Sequence, residues 1–292
     1  MKPAPFEYFR PDSAQEILAL MAQHGSDARP LAGGQSLVPL LNMRIMQPAV
    51  IVDMNGCQAL QYVREEAGAL RIGAMARQAQ VQHSPLVRAG CPLLALALAQ
   101  VGGLANRNRG TVCGSLAHAD PLAELPCVAV ALDAQFLLSG PDGPRQVQAA
   151  EFFLSDLTTC MEPTELLEAV LFARSAQPVR VGFAEVGNRR HGFAVAGVAA
   201  QLQIDGEGRC TDVRLAAMGV GAVPLRLSAV EQALLGRPVS ESAIAAAAAA
   251  ADVGTEPRAD IHASAEYRRS ILPVLARRAL SQALHDEVAH AA

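Results

Sequence analysis

The stretch from Arg107 to Asp120, RNRGTVCGSLAHAD, gathers two arginines, two glycines, a threonine, a serine, a histidine and an aspartate. Upstream, LAGGQSLVPL, from Leu31 to Leu40, repeats the small residues, the hydroxyls and a glycine pair. Backbone N–H groups in such turns can point into one concavity and bind phosphate oxygens, because glycine allows positive φ and close approach of a ligand. A helix that starts just after the turn adds the favourable end of its dipole. Gly33, Gly34, Gln35 and Ser36 fit this chemistry in the first loop. Thr111, Gly114 and Ser115 fit it in the second, with hydroxyls as further donors. A diphosphate has two anionic groups, so two facing loops could clamp it from both sides. Asp120 and Glu124 lie just downstream, where a carboxylate accepts hydrogen bonds from a ribityl, ribose or amide donor. Each loop taken singly reads as a tight turn, and the residues alone leave turn and clamp both open.

Competing nucleotide motifs are absent from the sequence. No G-x-G-x-x-G follows a strand and no G-x-x-x-x-G-K-[ST] occurs, so neither a dinucleotide Rossmann turn nor a P-loop is encoded in the usual way. His118 stands beside the second loop and either contacts a ligand or caps the next helix through Asp120. Arg107 and Arg109 fit interface or solvent-facing ion pairs better than partners of a diphosphate. His83, His191 and His262 have no partner at ligand spacing, and Arg268, Arg269, Arg277 and Arg278 read as one solvated helix face. There is no Ser-His-Asp order and no carboxylate pair placed for acid–base work.

The elements that must position the loops are legible in outline. SAQEILALMAQHG, from Ser13 to Gly25, starts with a capping box (Ser13, Glu16), carries Ile17, Leu20 and Met21 at helical spacing, and stops at glycine. ARPLAGG reads as a strand entering the first turn and QSLVPLLNMR as a short helix leaving it, with Ser36 as its cap. AVIVDM (Ala49 to Met54) and ALRIGA (Ala69 to Ala74) read as buried strands. CPLLALALAQVGG and PLAELPCVAVALDA read as apolar helices on either side of the second loop. QFLLSGPDGPRQVQ reads as a hairpin and ELLEAVLF as a strand. Two further strands meet at an Asp-Gly-Glu-Gly turn, and three helices close the chain, over Leu225 to Leu235, Ser240 to Val253 and Ala265 to about Val288.

Composition narrows the class. The chain has 292 residues, 51% hydrophobic, with a formal net charge of −4, which suits a packed globular protein and argues against nucleic acid as the main partner. The N-terminal MKPAPFEYFRPDSA has no signal-peptide apolar core, and the longest small-apolar run is too short to span a bilayer. Six cysteines occur without a C-x-x-C pair, so reduced and mostly buried thiols are expected, in a cytoplasmic protein, with no iron–sulfur cluster on this chain.

The two loops together resemble the FAD-binding medium subunit of molybdenum hydroxylases, the xanthine dehydrogenase and carbon monoxide dehydrogenase family. AGGQSLVPLLNMRIMQPAVIVDMN is similar to the family's first motif and RNRGTVCGSLAHADPLAELP to its second, while GFAEVGNRRHGFAVAGVAA resembles the start of its C-terminal domain. The likeness runs along nearly the whole chain. It implies an α+β protein: an FAD-binding domain of the vanillyl-alcohol oxidase type over 1–176, with two α/β subdomains at about 1–55 and 56–176, and a C-terminal antiparallel-sheet-and-helix domain over 177–292. It also implies that Ala32, Gly33, Gly34, Gln35, Ser36 and Leu37, with Thr111, Gly114 and Ser115, hold the pyrophosphate of FAD. His118, Asp120 and Glu124 become further cofactor contacts, Leu166 or Leu167 packs near the adenine or the ring edge, and Arg189 to Phe193 approaches the isoalloxazine. Phe193 stands where some members carry tyrosine. Cys113 stands where the commonest pattern has glycine, which leaves any positive-φ demand to Gly114 and makes Cys113 a buried packing residue.

The expected function is an electron-transfer oxidoreductase subunit. It would take electrons from [2Fe–2S] clusters on a small partner subunit, with molybdopterin on a large one, in an (αβγ)2 assembly, and pass them to an external acceptor. The flavin carries the redox chemistry, so no catalytic side chain or metal site is expected here. A free-standing flavin oxidase or reductase of the same fold, and a flavin-free scaffold, are the alternatives.

Overall fold

A computed structural model describes residues 2–175, 177–189 and 192–286. The chain opens with a three-stranded parallel sheet in which Val50–Asp53 lies between Glu7–Phe9 and Ala28–Leu31. All four residues of that central strand are buried, as a strand covered on both faces requires. The helix Ala14–His24 connects the first two strands, starting where Ser13 Oγ accepts the Glu16 N–H and ending where Gly25 takes φ 52°. The Glu16 carboxylate accepts the N–H of Asp12 at 3.2 Å, one residue before the partner a capping box supplies. The first glycine loop follows Ala28–Leu31 and leads into the helix Leu37–Asn42.

A five-stranded antiparallel sheet comes next, in the order Val63–Glu66, Ala69–Gly73, Leu166–Ala173, Gln135–Gly140, Gly143–Gln148. Its central strand is the last to be reached along the chain. The second glycine loop lies between the helices Leu104–Arg109 and Val112–His118, and the latter packs on Ala69–Gly73 and Leu166–Ala173. The apolar helix Glu124–Ala131 follows.

A four-stranded antiparallel sheet, Arg180–Gly187, Ala194–Ile204, Cys210–Met218 and Leu225–Arg226, occupies the C-terminal part. Asp205 holds its tight turn by accepting the N–H groups of Glu207 and Arg209 at 2.9 and 2.8 Å, with Gly208 at φ 78°. Leu225 and Arg226 pair as a strand with Ala216 and Ala217, so the expected helix there starts only at Ser228. The helix Ala265–His285 covers the first two strands; the expected end near Val288 lies outside the described residues. One core runs from the first two sheets into the third, joining Leu94 and Cys127 to Phe183, Ala199 and Ala216. A second fills the space between the third sheet and the closing helices.

One expectation about an arginine is corrected. Arg268 is only 2% exposed, unlike Arg269, Arg277 and Arg278. Its guanidinium donates to Asp260 at 2.5 Å and to the carbonyls of Val195 and Gly219, so it staples a loop to the sheet. Arg107 forms no ion pair among the described residues; it donates to the Val101 and Gly102 carbonyls at 2.9 and 2.7 Å and to Gln82 at 3.0 Å, fixing the turn before its own helix. Among the described residues, no helix is long and apolar enough to cross a membrane.

Candidate functional site

The first loop turns at Gly34, whose φ of 72° favours glycine. Val38 N–H then reaches the Gly34 carbonyl at 3.0 Å and starts the helix. Ser36 is already helical and its side chain makes no capping bond, which corrects the expected cap: the helix starts on backbone bonds alone. In the second loop Thr111 is the true cap, its Oγ1 accepting the Gly114 N–H at 3.0 Å. Gly114 sits inside the helix Val112–His118 and is not among the positive-φ glycines. The demand it meets is space, since a Cβ there would lie 2.6 Å from Thr111 Oγ1.

The two loops touch. A Cβ on Gly33 would strike the Arg109 carbonyl and lie 2.7 Å from Gly110 Cα. Glycine at 33 therefore serves loop-to-loop approach. Both loops face one cavity of about 740 Å³, a size suited to a large cofactor. Residues 32–37 line it, with Thr111, Gly114, Ser115, His118, Asp120, Glu124, Leu166 and Leu167; Arg189, expected to approach the ring with Phe193, does not. Phe193, 72% exposed, contributes with Gly192 and Ala194 at the wall formed by the third sheet; Arg190 and His191 lie outside the described residues. Gln78 and Met161 line the same cavity, and no motif marks either in the sequence.

The donors on the loop walls are peptide groups. Among the described residues, no hydrogen-bond acceptor is found for the N–H groups of residues 34–37, or for those of Thr111 and Cys113. Orphan donors of this kind at a turn and helix start suit an anion. Arg29 also lines the cavity, but its guanidinium is turned onto the Ser26 and Ala28 carbonyls at 3.2 and 2.9 Å. Thus the walls offer amides and hydroxyls for a diphosphate, and the residues present fit FAD on that ground.

Part of the lining is acidic. Burial, with Glu185 and Asp120 nearby, pushes the Glu124 carboxyl up to about 7. Burial likewise raises Glu185 to about 7. Asp120 accepts the Leu122 N–H at 2.9 Å, and the cap of the next helix is Ala123, without a side-chain bond, so neither His118 nor Asp120 caps that helix. Burial lowers the His118 pKa despite Asp120 beside it, which favours a neutral imidazole. Glu165, also on the cavity wall, is bonded by Arg145 at 2.6 and 2.8 Å, and this holds its carboxyl below the ordinary value. Cys113 is buried and its thiol is pushed up to about 12, so it is an inert packing group. No cluster of three or more metal-ligating side chains occurs among the described residues.

A cavity walled by orphan peptide donors, set between α/β layers and an antiparallel domain, defines a cofactor-binding α+β protein. Residues 4–173 match the family described as FAD binding domain in molybdopterin dehydrogenase. Residues 182–283 match CO dehydrogenase flavoprotein C-terminal domain. The chain belongs to the FAD-binding medium subunits of the molybdenum hydroxylases, and is an oxidoreductase subunit whose cofactor is FAD. It is 37% identical to the 6-hydroxypseudooxynicotine dehydrogenase complex subunit alpha of Paenarthrobacter nicotinovorans, over 98% of this chain and 96% of that protein. It is 35% identical to the carbon monoxide dehydrogenase medium chain of Hydrogenophaga pseudoflava, over 97% and 98%. Among solved structures it is similar to carbon monoxide dehydrogenase from Hydrogenophaga pseudoflava (TM-score 0.93, 37% identity, 97% of this chain and 99% of that one). Quinoline 2-oxidoreductase from Pseudomonas putida 86 is also similar (TM-score 0.92, 36% identity, 97% and 98%).

Proposed function

We propose that this chain is the electron-transfer flavoprotein of a multi-subunit molybdenum hydroxylase. It receives electrons from [2Fe–2S] clusters on a small subunit, which in turn drain a molybdopterin centre on a large subunit, and it hands them to an external acceptor. The observation that carries this is the pair of touching glycine loops with orphan N–H groups on one cavity, in a chain of this family. Residues 32–37 and Thr111 to Ser115 would hold the pyrophosphate through peptide N–H groups and hydroxyls. Asp120 and Glu124 would accept from the sugar chain or ring amides, and Leu167 would pack on an aromatic edge. Bound flavin supplies the exchange between two-electron and one-electron carriers. The side chains position it, exclude water and set the local charge, with the neutral His118 and the raised Glu124 as the groups beside it.

The relatives' names speak of carbon monoxide, caffeine, glyceraldehyde and 6-hydroxypseudooxynicotine dehydrogenases. That spread fits a substrate pocket on another subunit, with this chain serving each alike. We place the FAD-binding domain at 1–176 and the C-terminal domain at 177–292, in a cytoplasmic (αβγ)2 assembly; six free cysteines, five of them buried, favour a reducing compartment. The test is the visible spectrum of the chain co-produced with its partner subunits, followed by acid release and mass identification of the chromophore. The expected result is about one FAD per chain. Absence of flavin after reconstitution would favour a scaffold. Substrate oxidation by the isolated chain would favour a free-standing oxidase.

A further inference from the structure

A continuous polar chain ties the two loops together, from Asp53 and Asn55 at the end of the first motif through Arg77, which no motif marks. Asp53, at the end of the central strand of the first sheet, is 7% exposed. It accepts the Tyr8 hydroxyl on one oxygen and the Asn55 backbone N–H, at 3.0 Å, on the other. The Asn55 side-chain amide donates to the Ala32 carbonyl at 3.0 Å and also to Asp53 at 2.5 Å. Its carbonyl oxygen accepts from the Arg77 guanidinium. Arg77 reaches onward with its other terminal nitrogen to the Arg109 carbonyl at 2.5 Å, and its backbone pairs with Thr111.

The ends of this chain are the ends of the two loops. Ala32 opens the first loop, and Arg109 is the last residue before the second. The Arg109 carbonyl is also the atom that a Cβ at Gly33 would strike, so it marks the point where the loops cross. Neither Asn55 nor Arg77 lines the cavity. They can influence a ligand only by fixing where the peptide donors stand. We propose that Asn55 and Arg77 are positioning residues that set the spacing of the two loops, and thereby the affinity for the diphosphate of the flavin dinucleotide. The inference rests on the FAD reading above.

The residue types suit the task. An asparagine at 55 donates to one carbonyl while accepting from a guanidinium; an aspartate could not donate to Ala32 and would face Asp53. Arginine at 77 presents a planar fork whose two terminal nitrogens satisfy Asn55 and Arg109 together. Lysine has a single ammonium on a flexible stem and cannot span both with fixed geometry.

The test is an FAD titration of the flavin-stripped full chain, read by flavin fluorescence, alongside the melting temperature of the apoprotein. Asn55→Ala, which removes one charge-assisted bond, and Arg77→Gln, which removes two, both break the same chain, and each is expected to raise the FAD Kd about thirtyfold. The melting temperature of the apoprotein should fall by no more than about 5 °C, because the same bonds also hold the unliganded loops. The double variant should bind no worse than about a hundredfold below wild type, well short of the product of the two losses, because both residues act through one chain of bonds. Arg77→Lys, which keeps charge and stem, should still lose affinity. If wild type binds FAD and the single variants bind within about threefold of it, or if the losses multiply in full, the positioning inference is overturned while the FAD reading stands. If either single variant fails to fold, Arg77→Lys decides, and wild-type affinity there overturns the inference. If wild type itself binds no FAD, the underlying reading fails first.

Discussion

At the scale of single residues, Glu124 joins the cavity to the interior. Its carboxyl is about 9% exposed and is pushed up to about 7 by burial first, and by Glu185 and Asp120 after it. The folded value lies above the ordinary 4.5, so the unfolded chain releases this proton at lower pH than the folded one. The stability that this carboxyl contributes is therefore fully present below about 4.5 and is lost as pH rises towards 7. Glu124→Gln removes that dependence. Its unfolding free energy should match wild type near pH 4.5 and exceed it at pH 8 by up to about 3 kcal/mol, the linkage value of such a shift. Thermal melts of both proteins across that range check it, and a pH-independent difference between them would count against the buried, raised carboxyl. The position of Glu124 just after the second loop was readable from spacing. Its protonation was not, because Glu185 reaches it from a strand of another sheet and burial is a tertiary property. Arg268 was illegible for the same reason: its neighbours along the helix face solvent, and only the folded chain brings Asp260 and two carbonyls onto it.

At the scale of elements, local chemistry was the better guide wherever it was self-contained. The Ser13 cap with its glycine stop, the Asp-Gly-Glu-Gly turn and the hairpin at Gly140–Gly143 all form from contacts within a few residues. The helix Leu104–Arg109 gave no such signal, being six residues long without an apolar stripe and held at its start by Arg107 bonds to the preceding turn. The two glycine loops fall between these cases. Their small residues were legible, but the division of labour was not: Gly34 answers to φ, Gly33 to the crossing of the loops, and Gly114 to room beside the Thr111 cap. A glutamate at Gly34 or Gly114 meets one of these demands head-on and also sets a carboxylate at a wall of anion-seeking donors. Backbone strain or a displaced cap is worth about 1–3 kcal/mol, so Gly34→Glu and Gly114→Glu should each weaken FAD binding about fivefold to a hundredfold, with the added carboxylate pushing towards the upper end. Equilibrium dialysis of both variants with FAD measures this, and stoichiometric FAD in both would sink the two-loop clamp.

At the scale of the whole molecule, the helix Glu124–Ala131 decides how the parts cooperate. Seven of its eight residues are buried, as a helix apolar all round should be. Its all-round apolar face was plain in PLAELPCVAVALDA; which sheet would cover it was not, because that choice needs strands laid down some seventy residues later. The covering sheet is the C-terminal one. Cys127 Sγ donates to the Ala216 carbonyl at 3.2 Å, Gly219 N–H reaches the Pro121 carbonyl at 2.9 Å, and Arg214 and Arg226 both pair with Asp133, at 3.2 and 2.9 Å. The ion pairs are half-exposed and contribute little; the shared apolar core, from Leu94 and Cys127 to Phe183 and Ala216, contributes most. The portions matched by the two family domains are thus joined by one core. In urea the full chain should unfold in a single transition, with fluorescence and circular dichroism coincident. A chain ending at residue 178 would leave the face of this helix around Cys127, now covered by the C-terminal sheet, open to water, an apolar patch of the kind that drives association. It should elute as soluble aggregates and bind a hydrophobic dye. A monomeric fragment with a cooperative melt of its own would show instead that the cavity's first two walls stand without the third.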